Sequence, residues 1–188
     1  MEEETRRSGL DRREQLTDVP DDRRKGTERR AAVRNFDRIV EFMKKIPVFS
    51  GLTNDQYMKI LRICSHKEFP EDDFIYRRGD EPNELFILLK GRLRVLTRED
   101  TLLTQLTPIA LVGAIGVFSG TCHLNSVSTI TESSLIRIHK IEIFRLFEND
   151  HILGNQIFQN AISSLAQNLE VYNEIIQEMQ VRKPTIIF

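Results

Sequence analysis

Three glycine-punctuated segments in the middle of the chain decide its fold. Residues 74–80 read FIYRRGD, residues 84–95 read ELFILLKGRLRV, and residues 111–118 read LVGAIGVF. Short apolar runs that are separated by glycine, aspartate and proline are typical of β-strands joined by turns. Further short strands are predicted near residues 102–103, 127–130 and 135–138. Strands of this length at near-regular intervals predict a β-sandwich or β-barrel at the centre of the chain.

Helical periodicity flanks the β region on its N-terminal side. Apolar residues at helical spacing predict a first helix over about 36–46, which Pro47 ends. Thr53 with Gln56 three positions later predicts the N-terminal cap of a second helix. The predicted buried stripe of that helix consists of Tyr57, Ile60, Leu61 and Cys64. Strand periodicity is expected from Lys67 onward.

Helices return after the β region, and the last of them is long. Ile141, Phe144 and Phe147 predict a short buried stripe, and a longer helix follows from about Leu153 to Gln180. Apolar residues on the long helix alternate four and three apart over about three heptads. We call them the seam: Phe158, Ile162, Leu165, Leu169, Tyr172, Ile176 and Met179. Such a seam favours pairing with a second copy, so we expect a homodimer.

The two ends of the chain differ from the rest. Residues 1–34 are poor in large apolar residues and repeat an acidic-Arg-Arg triplet three times. One interpretation is a solvated, disordered polyampholyte tail. The other is an arm that binds carboxylate or phosphate groups of a partner, because guanidinium groups suit both. Its candidate partner-binding residues are Arg12, Arg13, Arg23, Arg24, Arg29 and Arg30. We divide the chain into this tail, a domain over 35–152, the long helix over 153–182, and an apolar tail over 183–188.

Composition narrows the class of protein. The chain has 188 residues, is 40% hydrophobic, and carries a net charge of -1. This balance provides no global basic field for nucleic acid or a membrane surface, and no apolar run is long enough to span a membrane. Two cysteines and an acidic N-terminus without an apolar core predict a cytoplasmic protein. Four scattered histidines and the lack of a nucleophile elbow or phosphate-binding P-loop predict no enzyme, and no metal site is expected.

The order of elements resembles the cyclic-nucleotide-binding domain family of the catabolite-activator type. The resemblance covers roughly residues 46–178 and rests on Arg78-Gly79-Asp80, on Gly91, and on residues 112–118. It implies a mainly β fold with flanking helices: an antiparallel β-roll, two N-terminal helices and a long C-terminal dimerisation helix. Members that bind DNA carry a helix-turn-helix after the long helix. Only about eight residues follow Gln180, so we expect no specific DNA binding.

The resemblance also implies a ligand site, in a loop and short helix that we call the cassette (residues 113–126). In the family, a glutamate after the first glycine binds the ribose and an arginine about nine residues later neutralises the cyclic phosphate. Here the glycine is Gly113, the glutamate position is Ala114, and the arginine position is His123 or Leu124. The candidate pocket consists of Gly113, Ala114, Ile115, Gly116, His123, Leu124, Asn125 and Ser126. Losing two charge-assisted hydrogen bonds of about 1.5–3 kcal/mol each lowers affinity by roughly two to four powers of ten.

The missing glutamate and arginine leave two alternative functions. One is a regulatory module that binds cyclic AMP poorly or not at all and acts through dimerisation and contact with an unknown protein partner. The other is a working sensor with changed specificity for a cyclic nucleotide, a cyclic dinucleotide, or haem held through Cys122 and His123. A cyclic nucleotide is thus a possible ligand. His123 is either a substitute cation at mildly acidic pH or an ordinary loop residue.

Overall fold

Two four-stranded antiparallel sheets form the centre of the structure, a computed structural model that describes residues 38–181 and the side chains up to residue 179. The strands are β1 (Cys64–Phe69), β2 (Phe74–Tyr76), β3 (Glu84–Lys90), β4 (Leu93–Leu96), β5 (Leu102–Leu106), β6 (Ala110–Val112), β7 (Ser126–Thr129) and β8 (Ser133–His139). The first sheet has the order β1-β8-β3-β6 and the second β2-β7-β4-β5. The predicted antiparallel β-roll is therefore confirmed.

Five helices flank the sheets in the described part of the chain. They are α1 (38–43), α2 (Asn54–Arg62), α3 (Ala114–Ser119), α4 (Lys140–Asn149) and α5 (His151–Val181), with a 3-10 turn at Pro47–Phe49. The predicted capping box of α2 is present. Thr53 Oγ1 accepts the backbone N–H of Gln56 at 3.3 Å, and Gln56 Oε1 accepts that of Thr53 at 2.9 Å. None of the helices within 38–181 has the length and apolar character that crossing a membrane requires.

Strand β3 separates two hydrophobic cores, which explains its unbroken apolar sequence. Leu85 and Ile87 on one face join the core formed with the helices, which includes Phe49, Tyr57 and Phe147. The opposite face belongs to the interior of the roll, whose buried residues are Phe69, Phe86, Leu88, Leu93, Val112, Val127 and Leu135. Successive side chains of a strand point to opposite faces, so a central strand with two covered faces needs apolar residues throughout.

The switch from helix to strand comes earlier than predicted. Helix α2 ends at Arg62, and Cys64 is the first residue of β1, where it pairs with Ile138 of β8. The placement of Cys64 on the helical stripe was therefore wrong. Its thiol still contacts the helix, since Sγ lies 3.2 Å from the Ile60 carbonyl oxygen, which accepts its hydrogen bond. A residue just past a helix can keep the helical spacing without belonging to the helix.

The buried face of α4 also differs from the prediction. Ile143 and Phe147 point into the core, whereas Ile141 is 67% exposed. Residues four apart share a helix face, so packing of Ile143 and Phe147 on the core sets the rotation of α4 and turns Ile141 outward. The long helix begins at His151, slightly before the predicted Leu153. The Asp150 carboxylate caps it by accepting the backbone N–H of Leu153 at 3.0 Å.

The turn between β3 and β4 requires glycine at Gly91. Its φ is +100°, and a Cβ there would lie 2.7 Å from the Glu132 carbonyl oxygen and 2.8 Å from the Ser133 Cα. Gly79 has a similar φ of +89°, but nothing lies within 4 Å of its added Cβ. Both positions strain an alanine through the backbone, and only Gly91 adds a steric clash with neighbouring backbone.

We therefore expect Gly91→Ala to lower the free energy of unfolding by about 1–3 kcal/mol more than Gly79→Ala does. Urea unfolding of both variants and the parent chain measures the difference. Equal losses of stability in the two variants would show that backbone conformation alone, and not the contact with residues 132–133, requires Gly91.

Candidate ligand site

The cassette is built around helix α3, which two glycines delimit. Gly113 precedes the helix with φ of +83°, and Gly120 follows it with φ of +73°. A Cβ on Gly113 would lie 2.9 Å from the Glu84 carbonyl oxygen, so the cassette is seated directly on β3. Val117 anchors the other side of the helix in the main core. The sequence thus positions α3 through glycine at its contact with the sheet and through an apolar residue on its inner face.

A cavity of about 360 Å³ lies between the cassette, strands β4–β6 and helix α5. Seven of the eight predicted pocket residues line it: Gly113, Ala114, Ile115, Gly116, His123, Leu124 and Asn125. Its other walls are Tyr76, Val95, Leu103, Thr104, Leu106, Leu111, Val112, Thr121, Cys122, Val127 and Tyr172. Among the described residues, no aspartate, glutamate, lysine or arginine lines this cavity. The described part of its wall therefore provides no formal charge to a phosphate.

Ser126, the eighth predicted pocket residue, has another role. It is buried, and its hydroxyl accepts the backbone N–H of Arg78 at 3.0 Å. Ser126 therefore ties the end of the cassette to the loop after β2, and it is not among the residues that line the cavity.

The His123 ring is packed between Tyr76 and the Gly116 position of α3. It is 7% exposed and stacks on Tyr76, with ring centroids 3.7 Å apart and an angle of 11° between the planes. On the helix side, its Nδ1 lies 3.2 Å from the position that a Cβ on Gly116 would take. The backbone of His123 is held as well, since its N–H donates to the Asp80 carbonyl and its carbonyl accepts from Gly79. His123 thus lines the cavity as a packed, stacked ring and not as a free side chain.

Both rings of this stack are neutral near pH 7. Burial lowers the pKa of His123, and the Asp80 carboxylate opposes this only in part. Burial raises the pKa of Tyr76 to about 12, although the backbone N–H of Gly113 acts in the opposite direction. The depressed pKa argues against His123 as a substitute cation at mildly acidic pH. Its stacking also shows that it is more than an ordinary loop residue.

Because the pKa of His123 is lower in the folded chain than its unfolded value of about 6.5, the unfolded chain binds more protons between the two values. The contribution of His123 to stability is therefore complete above the unfolded pKa and is lost as pH falls toward the folded pKa. We expect the melting temperature to fall more between about pH 7.5 and about pH 5 in the parent chain than in His123→Phe. Phenylalanine keeps the stack on Tyr76 without titrating. Parallel pH profiles of the two proteins would contradict this assignment.

The structure does not pair Cys122 and His123 as haem ligands. Cys122 is exposed, whereas one face of the His123 ring is covered by Tyr76. Within residues 38–181, no group of three histidine, cysteine, aspartate or glutamate side chains is placed to hold a metal ion. The residues present therefore do not fit a haem site in this loop.

The seam residues lie on α5, where the structure leaves most of them uncovered. Phe158 is partly buried, with its ring centroid 5.7 Å from that of Phe118 and 5.4 Å from that of Phe147. From there on the seam is exposed; its members are Ile162, Leu165, Leu169, Tyr172, Ile176 and Met179. The six candidate arginines of the N-terminal arm and the apolar tail 183–188 lie outside the described residues.

Tyr76 and Tyr172 were missed as site residues by reasoning from the sequence. The sequence pattern assigns Tyr76 only to a strand and Tyr172 only to the seam. Tyr172 lines the cavity from α5, so the seam and the candidate site share a residue. No local sequence signal identifies either contact, because each joins elements that are distant along the chain.

Comparison with known proteins agrees with this geometry. The model of a family described as "Cyclic nucleotide-binding domain" matches residues 66–150. The chain is also similar to the cGMP-dependent protein kinase, isozyme 2 forms cD5/T2, of Drosophila melanogaster, with 32% identity over 62 residues. That similarity covers 32% of this chain and 7% of the kinase, so the chain spans only a small part of the kinase's length.

Solved structures show the same fold. A cyclic nucleotide-binding domain from Methylobacillus flagellatus has a TM-score of 0.66 at 19% identity, covering 77% of this chain and 84% of that one. The regulatory subunit of a cAMP-independent protein kinase A from Trypanosoma brucei has a TM-score of 0.60 at 25% identity, covering 77% of this chain and 50% of that one. A triple mutant of that subunit, with a TM-score of 0.59 and 25% identity over 78% of this chain and 53% of that one, is bound to cAMP in its A site.

Proposed function

Because residues 66–150 belong to the cyclic nucleotide-binding domain family, we propose that this chain is a non-enzymatic regulatory module that binds cyclic AMP poorly or not at all. The observation that carries the proposal is the neutral Tyr76–His123 stack at the arginine position of the cassette. A cyclic phosphate carries a negative charge, and desolvating a charge without an opposite charge or strong hydrogen bonds is costly.

The remaining polar groups of the cassette replace little of the lost interaction. The backbone N–H of Gly113 already acts on the Tyr76 phenol, whose pKa it lowers, and the Ser126 hydroxyl oxygen accepts the backbone N–H of Arg78. Asn125 lines the cavity and offers a neutral amide. A neutral hydrogen bond contributes about 0.5–1.5 kcal/mol, against about 1.5–3 kcal/mol for one to a charged group. Weak binding or none is the result we expect.

In this function the chain signals through two contacts, one with a second copy and one with a protein partner. The exposed seam supports a homodimer, because an uncovered row of apolar residues on a helix favours association. A protein partner then binds the dimer and responds to its conformation. The chain carries a net charge of -1, which fits neither DNA reading nor a membrane surface. The two free cysteines, Cys64 and Cys122, suit a reducing cytoplasm.

A similar structure supports regulation without cyclic AMP. The Trypanosoma brucei subunit is described as part of a cAMP-independent kinase, and a triple mutant of it is bound to cAMP. By analogy, a fold of this type can lose its response to cyclic AMP while keeping a regulatory role.

Isothermal titration of the full chain with cyclic AMP, cyclic GMP and cyclic di-GMP tests the proposal. We expect no saturable heat with any of the three at micromolar concentrations. Saturable binding of one of them would overturn the claim of a lost response and make the cavity a working nucleotide site. Adenosine serves as the phosphate-free counterpart of cyclic AMP in the same series.

One observation favours a second candidate, a sensor for an uncharged ligand. The cavity volume of about 360 Å³ lies in the range of small-molecule sites, and apolar side chains form most of its wall. Tyr172 would report its occupancy to the seam. Binding of adenosine without binding of cyclic AMP would support this candidate, whereas flat titrations with all four compounds support the scaffold.

A further inference from the structure

The distal part of α5 exposes more apolar surface than one seam explains. Every side chain from Leu165 to Met179 is exposed. Seven of them are large and apolar: Leu165, Leu169, Val171, Tyr172, Ile175, Ile176 and Met179. A helix that extends beyond its own domain gains little stability from propensity alone and depends on packing of its apolar face. This segment therefore needs a covering surface.

A two-stranded coiled coil would leave part of that surface uncovered. The seam residues alternate between heptad positions a and d, which are the positions that a paired helix covers. In this register, Val171 falls at position c and Ile175 at position g. They are 52% and 44% exposed. An apolar face that extends from a and d to g is wider than a coiled-coil seam and is typical of helices in bundles.

These two residues continue a second stripe that is buried at the start of α5. The stripe consists of Leu153, Ile157, Ser164, Asn168, Val171 and Ile175, spaced three, four or seven apart. Leu153 and Ile157 are fully buried in the core with Ile143 and Phe147 of α4. The stripe is thus covered by α4 near its beginning and is exposed at Val171 and Ile175.

The charges next to the uncovered part have one sign. Helix α5 contains three glutamates and no lysine, arginine or aspartate. Glu174 lies three residues after Val171, and Glu178 lies three residues after Ile175, so each apolar residue has a carboxylate beside it on the helix surface. Like charges four residues apart repel and destabilise an isolated helix. A partner with cations on both sides of an apolar stripe relieves this repulsion.

We propose that Val171 and Ile175, bordered by Glu174 and Glu178, bind a basic amphipathic helix of a partner protein. The apolar stripe of that helix covers Val171 and Ile175, and its flanking lysines or arginines face the glutamates. The inference rests on the proposed function, because it assigns the seam to the second copy and leaves the second stripe free. Two such stripes in a dimer give a stoichiometry of one partner helix per chain.

Two synthetic helical peptides of about 21 residues, or six turns, test the inference. They share one leucine face and differ only in flanking residues, which are lysine in one and glutamate in the other. Fluorescence anisotropy follows their binding to the full chain at low salt. We expect the lysine peptide to saturate at one per chain and to bind at least about tenfold more tightly than the glutamate peptide.

Two variants locate the binding surface. Val171→Ser with Ile175→Ser is expected to weaken binding of the lysine peptide at least about tenfold while light scattering still shows a dimer. Glu174→Gln with Glu178→Gln leaves the apolar residues in place, and we expect it to weaken binding and flatten its salt dependence.

Equal binding of the two peptides, no binding of the lysine peptide, or binding unaffected by both variants would overturn the inference. Dissociation of the dimer by Val171→Ser with Ile175→Ser would also overturn it, because the stripe would then belong to the contact between copies. Light scattering of the parent chain without peptide tests the homodimer separately. A monomer that still binds the lysine peptide through Val171 and Ile175 would refute the dimer and keep the docking surface.

Discussion

Replacing Ala114 with glutamate and His123 with arginine is expected to raise the affinity for cyclic AMP by about two to four powers of ten. Ala114 is the first residue of α3 and lines the cavity, so a glutamate there reaches toward a ribose hydroxyl. Arginine at residue 123 replaces a neutral imidazole by a permanent cation at the position that resemblance assigns to the phosphate. Isothermal titration of the double variant and the parent chain measures the gain.

A variant of equal charge is the control for this experiment. Ala114→Glu with Leu124→Arg carries the same charges, but Leu124 is 73% exposed at the rim and lacks the contact of His123 with Gly116. We expect this control to gain little affinity, because a cation on a solvated side chain is screened and poorly oriented. Because Leu124 is the alternative arginine position, a larger gain in this variant would assign the phosphate cation to residue 124. Equal gains in both variants would show that general charge, and not the position of residue 123, limits binding. If the Ala114→Glu, His123→Arg variant folds but gains no affinity for cyclic AMP, the loss of the two charged residues does not explain weak binding.

The second large effect is expected when charges are introduced into the exposed seam. Leu165→Glu with Leu169→Glu is expected to convert a dimer of two 21.9 kDa chains into monomers in light scattering. Leu165 and Leu169 occupy consecutive d and a positions, so the double change places four carboxylates at one contact of the dimer. Desolvating unpaired charges there costs several kcal/mol, which exceeds what the remaining seam residues restore.

Ser163→Glu with Gln167→Glu is the matched control. Both residues are exposed, four positions apart like Leu165 and Leu169, and lie on the opposite side of α5. This variant adds the same charge outside the seam and is expected to remain a dimer. If Leu165→Glu with Leu169→Glu also kept the dimer mass, the copies would associate through a different surface. The prediction that the seam forms the dimer contact would then be wrong.

Much of the fold follows from local patterns in the sequence. The capping box at Thr53, the buried strand at Leu85–Leu89 and the turn at Gly91 were all predicted, because each depends on a few neighbouring residues. Errors arose where tertiary packing decides between similar local options. Cys64 kept helical spacing but pairs with Ile138, and the rotation of α4 depends on the core to which Ile143 and Phe147 contribute.

In the candidate site, too, some features were predictable from the sequence and others depend on tertiary packing. The absence of glutamate at Ala114 and of arginine at His123 is visible in the sequence once the cassette is aligned by its glycines. What replaces the arginine is not visible, because the stack joins β2 to the end of the cassette and involves residues far apart in the chain. The same holds for Tyr172, which the heptad pattern assigns to a seam and the structure also places at the cavity.

Residue patterns alone predicted short strands between flanking helices, and the resemblance to the cyclic-nucleotide-binding domain family added the β-roll and the two charges missing from the cassette. These features depend on residue type, spacing and backbone freedom, which act locally. The packing of distant elements decided that His123 is buried against Tyr76, that no charged residue within 38–181 lines the cavity, and that α5 leaves Val171 and Ile175 uncovered. These outcomes depend on which distant surfaces meet, because burial and desolvation act between elements that the sequence does not place side by side.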